Sequence, residues 1–370
     1  MEMLKRSKMA PITVEGRADS VSYTSGIDEV IVAALEKLPR IEHLTLAFRG
    51  GWPKLKEILS ILSGGAPLLH TFQITSKDDS QVVHLPENIF SGPGGVPQLR
   101  RLSLTGCNFN WKSEFLRSLT HLTLIKVPTA CRLSVHGLVM NLGHMPQLES
   151  IHLSSVMAPL GHSELNASSR PSTLLPFITR IHLGGHLENC VAFFTEFAYP
   201  NTAIVSIKCS RSSQTDNLAP SVRDLITTIN AKNVVPFTFL HVENLDHGTF
   251  LGQDSQGIRR VSVEFRDVYL QPSSISCDSL PLHHLKTLQV AAIKILEWVW
   301  LGVFGKLNKL ETIIITDHAN EFLDALSCGI SRDHAVAHAT VANSPGMLKF
   351  KALKSLSLSS TLGDDYGESP

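Results

Sequence analysis

The chain has 370 residues, of which 43% are hydrophobic and 18% are charged. An apolar fraction of this size can build a large core, which excludes a broadly disordered chain. Lysine plus arginine equals aspartate plus glutamate at 33 each, so no overall charge excess favours nucleic acid or an anionic membrane. The composition therefore predicts a soluble, folded protein that binds neither of them.

The ends and the cysteines predict an intracellular protein. The amino-terminal sequence MEMLKRSKMAPITVEG lacks the apolar core of a secretory signal, and the most apolar window, 295–304, is too short to span a bilayer. The six cysteines are scattered without a C-x-x-C pair, which argues against a zinc site or a disulfide scaffold. We expect buried, reduced thiols and a cytoplasmic or nuclear location.

A short motif, apolar-x-x-apolar-x-apolar, recurs along the chain, and PQLRRLSLTGCNF (97–109) is its clearest copy. All but one of the intervals between copies lie between 20 and 33 residues, as in strand-plus-helix leucine-rich repeats. Five copies carry a proline two positions earlier, where it ends a helix and removes no needed ladder hydrogen bond. The twelve copies begin at Ile41, Leu69, Leu99, Leu119, Leu148, Ile178, Ile204, Phe237, Ile258, Leu285, Leu310 and Leu353.

Helical segments are predicted between these strands, because apolar residues there recur three and four positions apart. They cover 27–38, 54–63, 134–145, 186–199, 220–232, 294–307 and 320–330. The fold class is therefore α/β, a leucine-rich-repeat solenoid: a curved horseshoe with parallel strands inside, helices outside and irregular repeats. A doubly wound α/β sheet is the alternative, but GPGG (92–95) precedes a strand rather than a helix, which disfavours it.

Several stretches resemble the leucine-rich regions of mushroom-type fungal F-box proteins: MLKRSKMAPITVEG, LSGGAPLLHTFQI, PQLRRLSLTGCNFNW, LRSLTHLTLIKVPT and NLGHMPQLESIHLS. Proteins of that family carry an F-box that binds a Skp-type adaptor of a cullin ubiquitin ligase, and their repeats hold the substrate. The resemblance implies a protein-interaction module, the substrate-recognition part of an F-box-type (SCF) receptor. The alternative is a free-standing leucine-rich-repeat scaffold without an F-box or a ubiquitin role. A Skp-type adaptor is a partner only if an F-box lies upstream.

The predicted domain organisation is one solenoid with irregular ends. Met9, Ile12 and Val14 fit the strand motif weakly, so residues 1–26 are expected to be a partial first repeat, from a chain that is truncated or has lost its F-box. Residues 27–360 are expected to form the solenoid, with an insertion at about 331–349, and residues 361–370 a flexible acidic tail. Only the copy with Cys107 keeps the expected Cys or Asn after the strand, so no asparagine ladder should join the turns.

The candidate binding surface follows from side-chain alternation along the strands. The central position of the motif is polar in eleven of twelve copies, which predicts an exposed concave face. Four of these residues fall on four consecutive predicted strands, and two arginines flank them at the position just before the central one, Arg180 in the copy of His182 and Arg260 in the copy after that of His241. We expect a contiguous, pH-sensitive basic stripe that binds an acidic segment of a protein partner. Its residues are His152, Arg180, His182, Lys208, His241 and Arg260.

No catalytic or cofactor motif is found. HAVAH places His334 and His338 four residues apart, but the glutamate of a metalloprotease motif is missing. There is no nucleophile elbow, phosphate loop or dinucleotide fingerprint. We therefore expect no enzyme activity, no metal and no cofactor.

Overall fold

A computed structural model describes most of the chain as a mixed α/β fold. It divides into two compact units, Met1–Gly185 with Thr195–Pro200, and His186–Phe194 with Asn201–Pro370. Fourteen strands, seven in each unit, dominate the fold. The structure describes residues 10–18, 25–48, 55–76, 83–160, 173–210, 219–232, 235–244, 248–266, 282–293, 295, 300, 304–320, 322–323 and 350–359.

The first unit is built on a parallel sheet whose strands follow one another in chain order, apart from four short strands that form two pairs outside it. All neighbouring pairs of this sheet are parallel, and the register is continuous except for a shift between Ile12 and Thr13 at the start of the first strand. The strands are β1 (Ile12–Ala18), β2 (Ile41–Phe48), β3 (Thr71–Ser76), β5 (Arg101–Thr105), β7 (His121–Ile125), β8 (Ser150–Ser154) and β10 (Arg180–His186). The predicted strands of this half of the chain, including the weak one at Ile12, are confirmed.

Alternation along these strands places the leucines and isoleucines on one side of the sheet. On β5, Leu102 and Leu104 are buried while Arg101, Ser103 and Thr105 remain partly or fully exposed. In the six motif copies of this unit from Ile41 to Ile178, the first residue, such as Leu99 before β5, is also buried. The three apolar positions of the motif therefore build the core of each repeat, and burial of apolar area is the main stabilising term.

Backbone hydrogen bonds join successive turns at the ends of the strands. The residue after β7 is Lys126, with φ 53°, and its N–H donates to the carbonyl of Ser154 at the end of β8. Gly106 (φ 68°) and Ser155 (φ 55°) make the equivalent bond after β5 and β8. A left-handed residue therefore repeats at this turn, and main-chain bonds supply the connection that an asparagine ladder would provide.

Five α-helices lie within the described residues, close to the first five predicted segments. Ile31 of the first helix packs against the buried face of the sheet, over Gly16 and Leu46. Ser134 caps the third helix, its Oγ accepting from the N–H of Gly137 at 3.1 Å. The helices are α1 (Ser25–Leu35), α2 (Leu55–Ile61), α3 (Val135–Leu142), α4 (Leu187–Glu196) and α5 (Ala219–Lys232). The segments predicted at 294–307 and 320–330 lie largely outside the described residues.

The second unit departs from the predicted all-parallel order. Its strands are ordered β12 (Ile204–Ser210), β15 (Arg259–Arg266), β14 (Gly248–Gln253), β13 (Phe239–Asn244), β16 (Thr287–Ala291), β17 (Thr312–Thr316) and β18 (Ser355–Ser359). The remaining pairs are parallel, but β14 runs antiparallel to both β13 and β15. The expectation of parallel strands in chain order is therefore wrong here, because short connections turn β13, β14 and β15 into a meander.

Short strands complete the described elements. β4 (Val83–His84) pairs with β6 (Cys107–Asn108), and β9 (Thr173–Leu174) pairs with β11 (Phe197–Ala198). The predicted insertion at about 331–349 and the predicted tail at 361–370 lie outside the described residues, as do residues 1–9 and 19–24 of the predicted partial first repeat. The single solenoid domain stays a prediction.

Candidate protein-binding surface

The exposed face of the first unit's sheet carries three rows of residues in strict register. From β2 to β10, three rows on six strands give eighteen positions, and none of them is an aspartate or a glutamate. The central row confirms the predicted alignment of Thr45, Gln73, Ser103, Thr123, His152 and His182. The row before it contains His43, Thr71, Arg101, His121, Ser150 and Arg180.

Five basic side chains gather on β5, β7, β8 and β10, and we call them the basic cluster: Arg101, His121, His152, Arg180 and His182. Neighbouring strands lie about 4.8 Å apart, so residues of one row are direct neighbours. Arg101 and Arg180 are exposed, and neither forms an ion pair with any residue that the structure describes. Three of the predicted site residues, His152, Arg180 and His182, belong to this cluster.

The pKa of His121 is affected by the positive charges around it. Partial burial lowers its pKa below the usual histidine range, and the charge of Arg101 lowers it further. Arg180 and His70 act in the same direction, whereas Glu149 opposes them. The ring Nδ1 lies 2.8 Å from the hydroxyl of Thr120, which orients the imidazole. His121 is therefore neutral at neutral pH and gains a proton only under more acidic conditions.

His152 and His182 lie directly opposite each other on β8 and β10. Their ring centroids are 4.1 Å apart and the ring planes meet at 74°. The two imidazole rings are therefore in edge-to-face contact across the central row.

The second half of the predicted basic stripe is not continuous. We expected Lys208 on β12 and His241 on β13 to be neighbours, but β15 and β14 lie between their strands. The residue beside Lys208 is Glu264 on β15, and its carboxylate lies 3.0 Å from the Lys208 ammonium. Arg266 binds the same carboxylate at 2.9 Å. Lys208 is therefore part of a self-paired charge group and not of an open basic surface.

The pKa of Glu264 shows which interaction dominates in this group. Partial burial alone would raise it, but hydrogen bonds and charge from Arg266 and Lys208 outweigh that effect. The pKa of Glu264 consequently lies below the usual glutamate range. The carboxylate stays ionised and neutralises the face around it at neutral pH.

His241 is also paired: its Nε2 lies 3.2 Å from a carboxylate oxygen of Glu243, two residues along the same strand. Its neighbour on β16 is the uncharged Gln289. Its predicted place in a contiguous basic stripe is therefore wrong, since Glu243 contacts its ring nitrogen and the strand order separates it from Lys208.

Arg260 forms a structural ion pair. Its Nε donates to Oδ2 of Asp254 at 2.7 Å, and another guanidinium nitrogen donates to the carbonyl of Thr202 at 2.8 Å. Asp254 is 4% exposed and also accepts from the backbone N–H groups of Gln256 and Ile258. Burial would raise the pKa of Asp254, but these bonds lower it on balance. Arg260 thus holds the turn between β14 and β15, and its predicted role on an open stripe is wrong in geometry.

Arg101 and His121 belong to the basic cluster but were absent from the predicted site. The signal was available, because both occupy the position before the central row, the same position that singled out Arg180. The prediction used this row only for Arg180 and Arg260, near the four basic residues of the central position, and therefore missed Arg101 and His121.

Metal and thiol chemistry have little support within the described part of the chain. There, no group of three or more histidine, cysteine or acidic side chains is placed to hold a metal ion. Burial raises the pKa of Cys107 to about 12, which leaves it a poor nucleophile. Cys190 and Cys209 are buried, as expected, whereas Cys131 is half-buried. His334 and His338, with Cys277 and Cys328, lie outside the described residues.

The fold and the surface together define a mixed α/β protein in which one strand-built face presents hydroxyl groups and two arginines, Arg101 and Arg180, that form no ion pair with a described residue. In the described part of the chain, no helix has the length and apolar character needed to cross a membrane. No known family model matches the sequence, and a comparison with curated proteins finds no significantly similar chain.

Proposed function

We propose that this chain is a protein-interaction module that binds an acidic segment of a protein partner on the basic cluster of its first unit. The observation that carries the proposal is the absence of any carboxylate from eighteen register-aligned positions that include two unpaired arginines. A surface of one sign attracts a partner of the opposite sign and selects against others.

The wider assignment proposed is the substrate-recognition part of an F-box-type ubiquitin ligase receptor, built as a leucine-rich-repeat solenoid. The regular motif, the parallel register of the first unit and the repeated left-handed turn support the solenoid. The sequence resemblance supports the receptor role. A cytoplasmic or nuclear location is part of the same proposal.

The binding proposal is tested with a fluorescent decaglutamate peptide at low ionic strength, using fluorescence anisotropy. Arg101→Glu with Arg180→Glu should weaken binding about tenfold, because each exposed charge contributes up to about 1 kcal/mol. Lys112→Glu with Arg117→Glu is the matched control, since these exposed residues lie in the same unit but outside the three rows. Equal losses in both double variants would contradict a site on this face.

The ligase assignment is tested separately by co-purification of the natural full-length protein with a Skp-type adaptor. Retention of the adaptor supports the receptor role. Failure of a verified full-length protein to retain it would favour a free-standing interaction scaffold, and the peptide assay would still report on the basic cluster.

A further inference from the structure

Strand β18 (Ser355–Ser359) ends the strand order of the second unit, and all five of its residues are exposed. Within the described residues it pairs only with β17. Leu356 and Leu358 lie in register with Ile313 and Ile315 on the apolar side of the sheet. The two isoleucines are at most 1% exposed, whereas Leu356 is 38% and Leu358 is 40% exposed. Apolar surface therefore remains uncovered beside a strand edge.

The backbone of β18 directs alternate residues to opposite edges. The N–H of Ser355 donates to Glu311 at 3.0 Å, and the carbonyl of Ser359 accepts from Asp317 at 2.9 Å, both on the β17 side. In a β-strand the alternate residues present their N–H and C=O groups to the other edge. The polar backbone groups of Leu356 and Leu358 therefore point toward the free edge.

The edge lacks the features that usually prevent strand pairing. The segment SLSLS contains no charge, proline or glycine. The nearest basic side chain, Lys354, is paired with Glu311 at 3.1 Å. By contrast, the outermost strand of the first unit, β1, carries the exposed charges of Glu15 and Arg17. The β18 edge is thus suited to pair with another strand.

The sequence of β18 identifies the partner, because SLSLS reads the same in both directions around Ser357. An antiparallel copy with Ser357 opposite Ser357 places Leu356 opposite Leu358, so that the four leucines share one side and the serines share the other. The leucine backbone groups that face the free edge then exchange hydrogen bonds in pairs. A two-fold arrangement of this kind is self-complementary.

We propose that β18 is a homodimerisation edge, at which two copies of this chain pair antiparallel around Ser357. Five residues per copy form a small contact, so the dimer is expected to be weak and concentration-dependent. This association is independent of the basic cluster and of the proposed receptor role.

Sedimentation equilibrium of the chain up to millimolar concentration tests the proposal. The wild type should rise from the monomer mass toward the dimer mass. Ser357→Glu places two like charges directly opposite each other, so the dissociation constant should rise about fivefold or more. Ser357→Lys should act in the same way, and an equimolar mixture of the two variants should restore association because Glu then faces Lys.

Ser355→Glu is the matched control, because it adds the same charge to the same strand but faces Ser359 of the second copy. It should leave association close to the wild-type level, and circular dichroism checks that every variant is folded. A chain that stays monomeric throughout, an equal loss in Ser355→Glu and Ser357→Glu, or a mixture that fails to associate would each overturn the proposal.

Discussion

The exposed faces of the two units use the same strand alternation but treat charge differently. In the first unit, eighteen register-aligned positions on β2 to β10 contain arginines and histidines without a carboxylate, and Glu15 of β1 borders them beside Thr45. In the second unit, Lys208 and Arg266 share Glu264, and His241 is paired with Glu243. On the first face Arg101 and Arg180 form no ion pair with a described residue, whereas on the second face Lys208 and Arg266 are paired within the sheet.

The difference shows that the number of basic residues on a strand face does not define a binding surface. An exposed ion pair contributes little to stability, but it removes its cation from the potential that an approaching anion meets. The neighbours two residues away or on the next strand decide whether a cation is available. Arg180 and Arg260 are equally basic, but Arg260 is held in an ion pair with Asp254 and Arg180 has no ion pair with a described residue.

The largest expected effect tests that separation through stability. Arg260→Ala leaves Asp254, which is 4% exposed, without its ion-pair partner, and the free energy of unfolding should fall by about 3 kcal/mol. Arg101→Ala removes an exposed side chain without a described ion pair and should change it by less than about 0.5 kcal/mol. Urea denaturation followed by circular dichroism measures both.

The ion pair between Asp254 and Arg260 also predicts how stability depends on pH. The lowered pKa of Asp254 means that its contribution to stability is present above the unfolded-state value and is lost as the pH falls through the folded-state value. Asp254→Asn should therefore be less stable than the wild type at neutral pH, and the difference should shrink below about pH 4. If Arg260→Ala and Arg101→Ala cost the same stability, the structural role of Arg260 is incorrect.

A smaller effect is expected when the shared carboxylate of the second face is removed, which should make that face more like the first in its charge. Glu264→Gln removes the carboxylate shared by Lys208 and Arg266, so both cations become available. In the Arg101→Glu, Arg180→Glu background, this change should strengthen decaglutamate binding about threefold to fivefold. Fluorescence anisotropy at low ionic strength gives the measurement.

Glu87→Gln provides the control for net charge, because it removes one exposed carboxylate from the first unit outside the three rows. An equal gain from Glu87→Gln would show that the peptide senses overall charge. The contrast between the two faces would then have no local cause.

The strands of the first unit were predictable from the sequence, because the motif gives the spacing of the apolar residues and so the side of each strand that is buried. Leu102 and Leu104 are two residues apart, the spacing that places both on one side of a strand, and Leu99 lies just before that strand; all three are buried. The alignment of Ser103, Thr123 and His152 in one row followed from placing each motif in the same register. Because the motif repeats, the strand positions and their alignment in this half of the chain could be predicted.

The second unit was less predictable, because its strand order and its cross-strand ion pairs do not follow from the motif. The strand Gly248–Gln253 has no apolar-x-x-apolar-x-apolar copy, yet it separates β13 from β15 and changes the neighbours of His241. The pairing of Lys208 with Glu264 depends on a register between strands more than fifty residues apart in sequence. Cross-strand charge compensation requires the fold, whereas strand burial requires only the local pattern.

The smallest expected effect concerns the pH dependence of the first face. Burial and the charges of Arg101, Arg180 and His70 keep His121 neutral at neutral pH, against the opposing charge of Glu149. As the pH falls, His121 gains a proton and adds a cation to the cluster, while the peptide glutamates stay largely ionised. Decaglutamate should therefore bind more tightly as the pH is lowered below the usual histidine value of about 6.5.

His121→Gln isolates this contribution. The variant should lose about threefold of the gain in affinity on acidification, which corresponds to one exposed charge. His136→Gln is the matched control, since His136 lies on α3 and is paired with Glu196 at 3.0 Å, outside the three rows. If His121→Gln and His136→Gln change the pH profile equally, protonation of the cluster does not govern binding, and the difference between the two faces rests on the arginines alone.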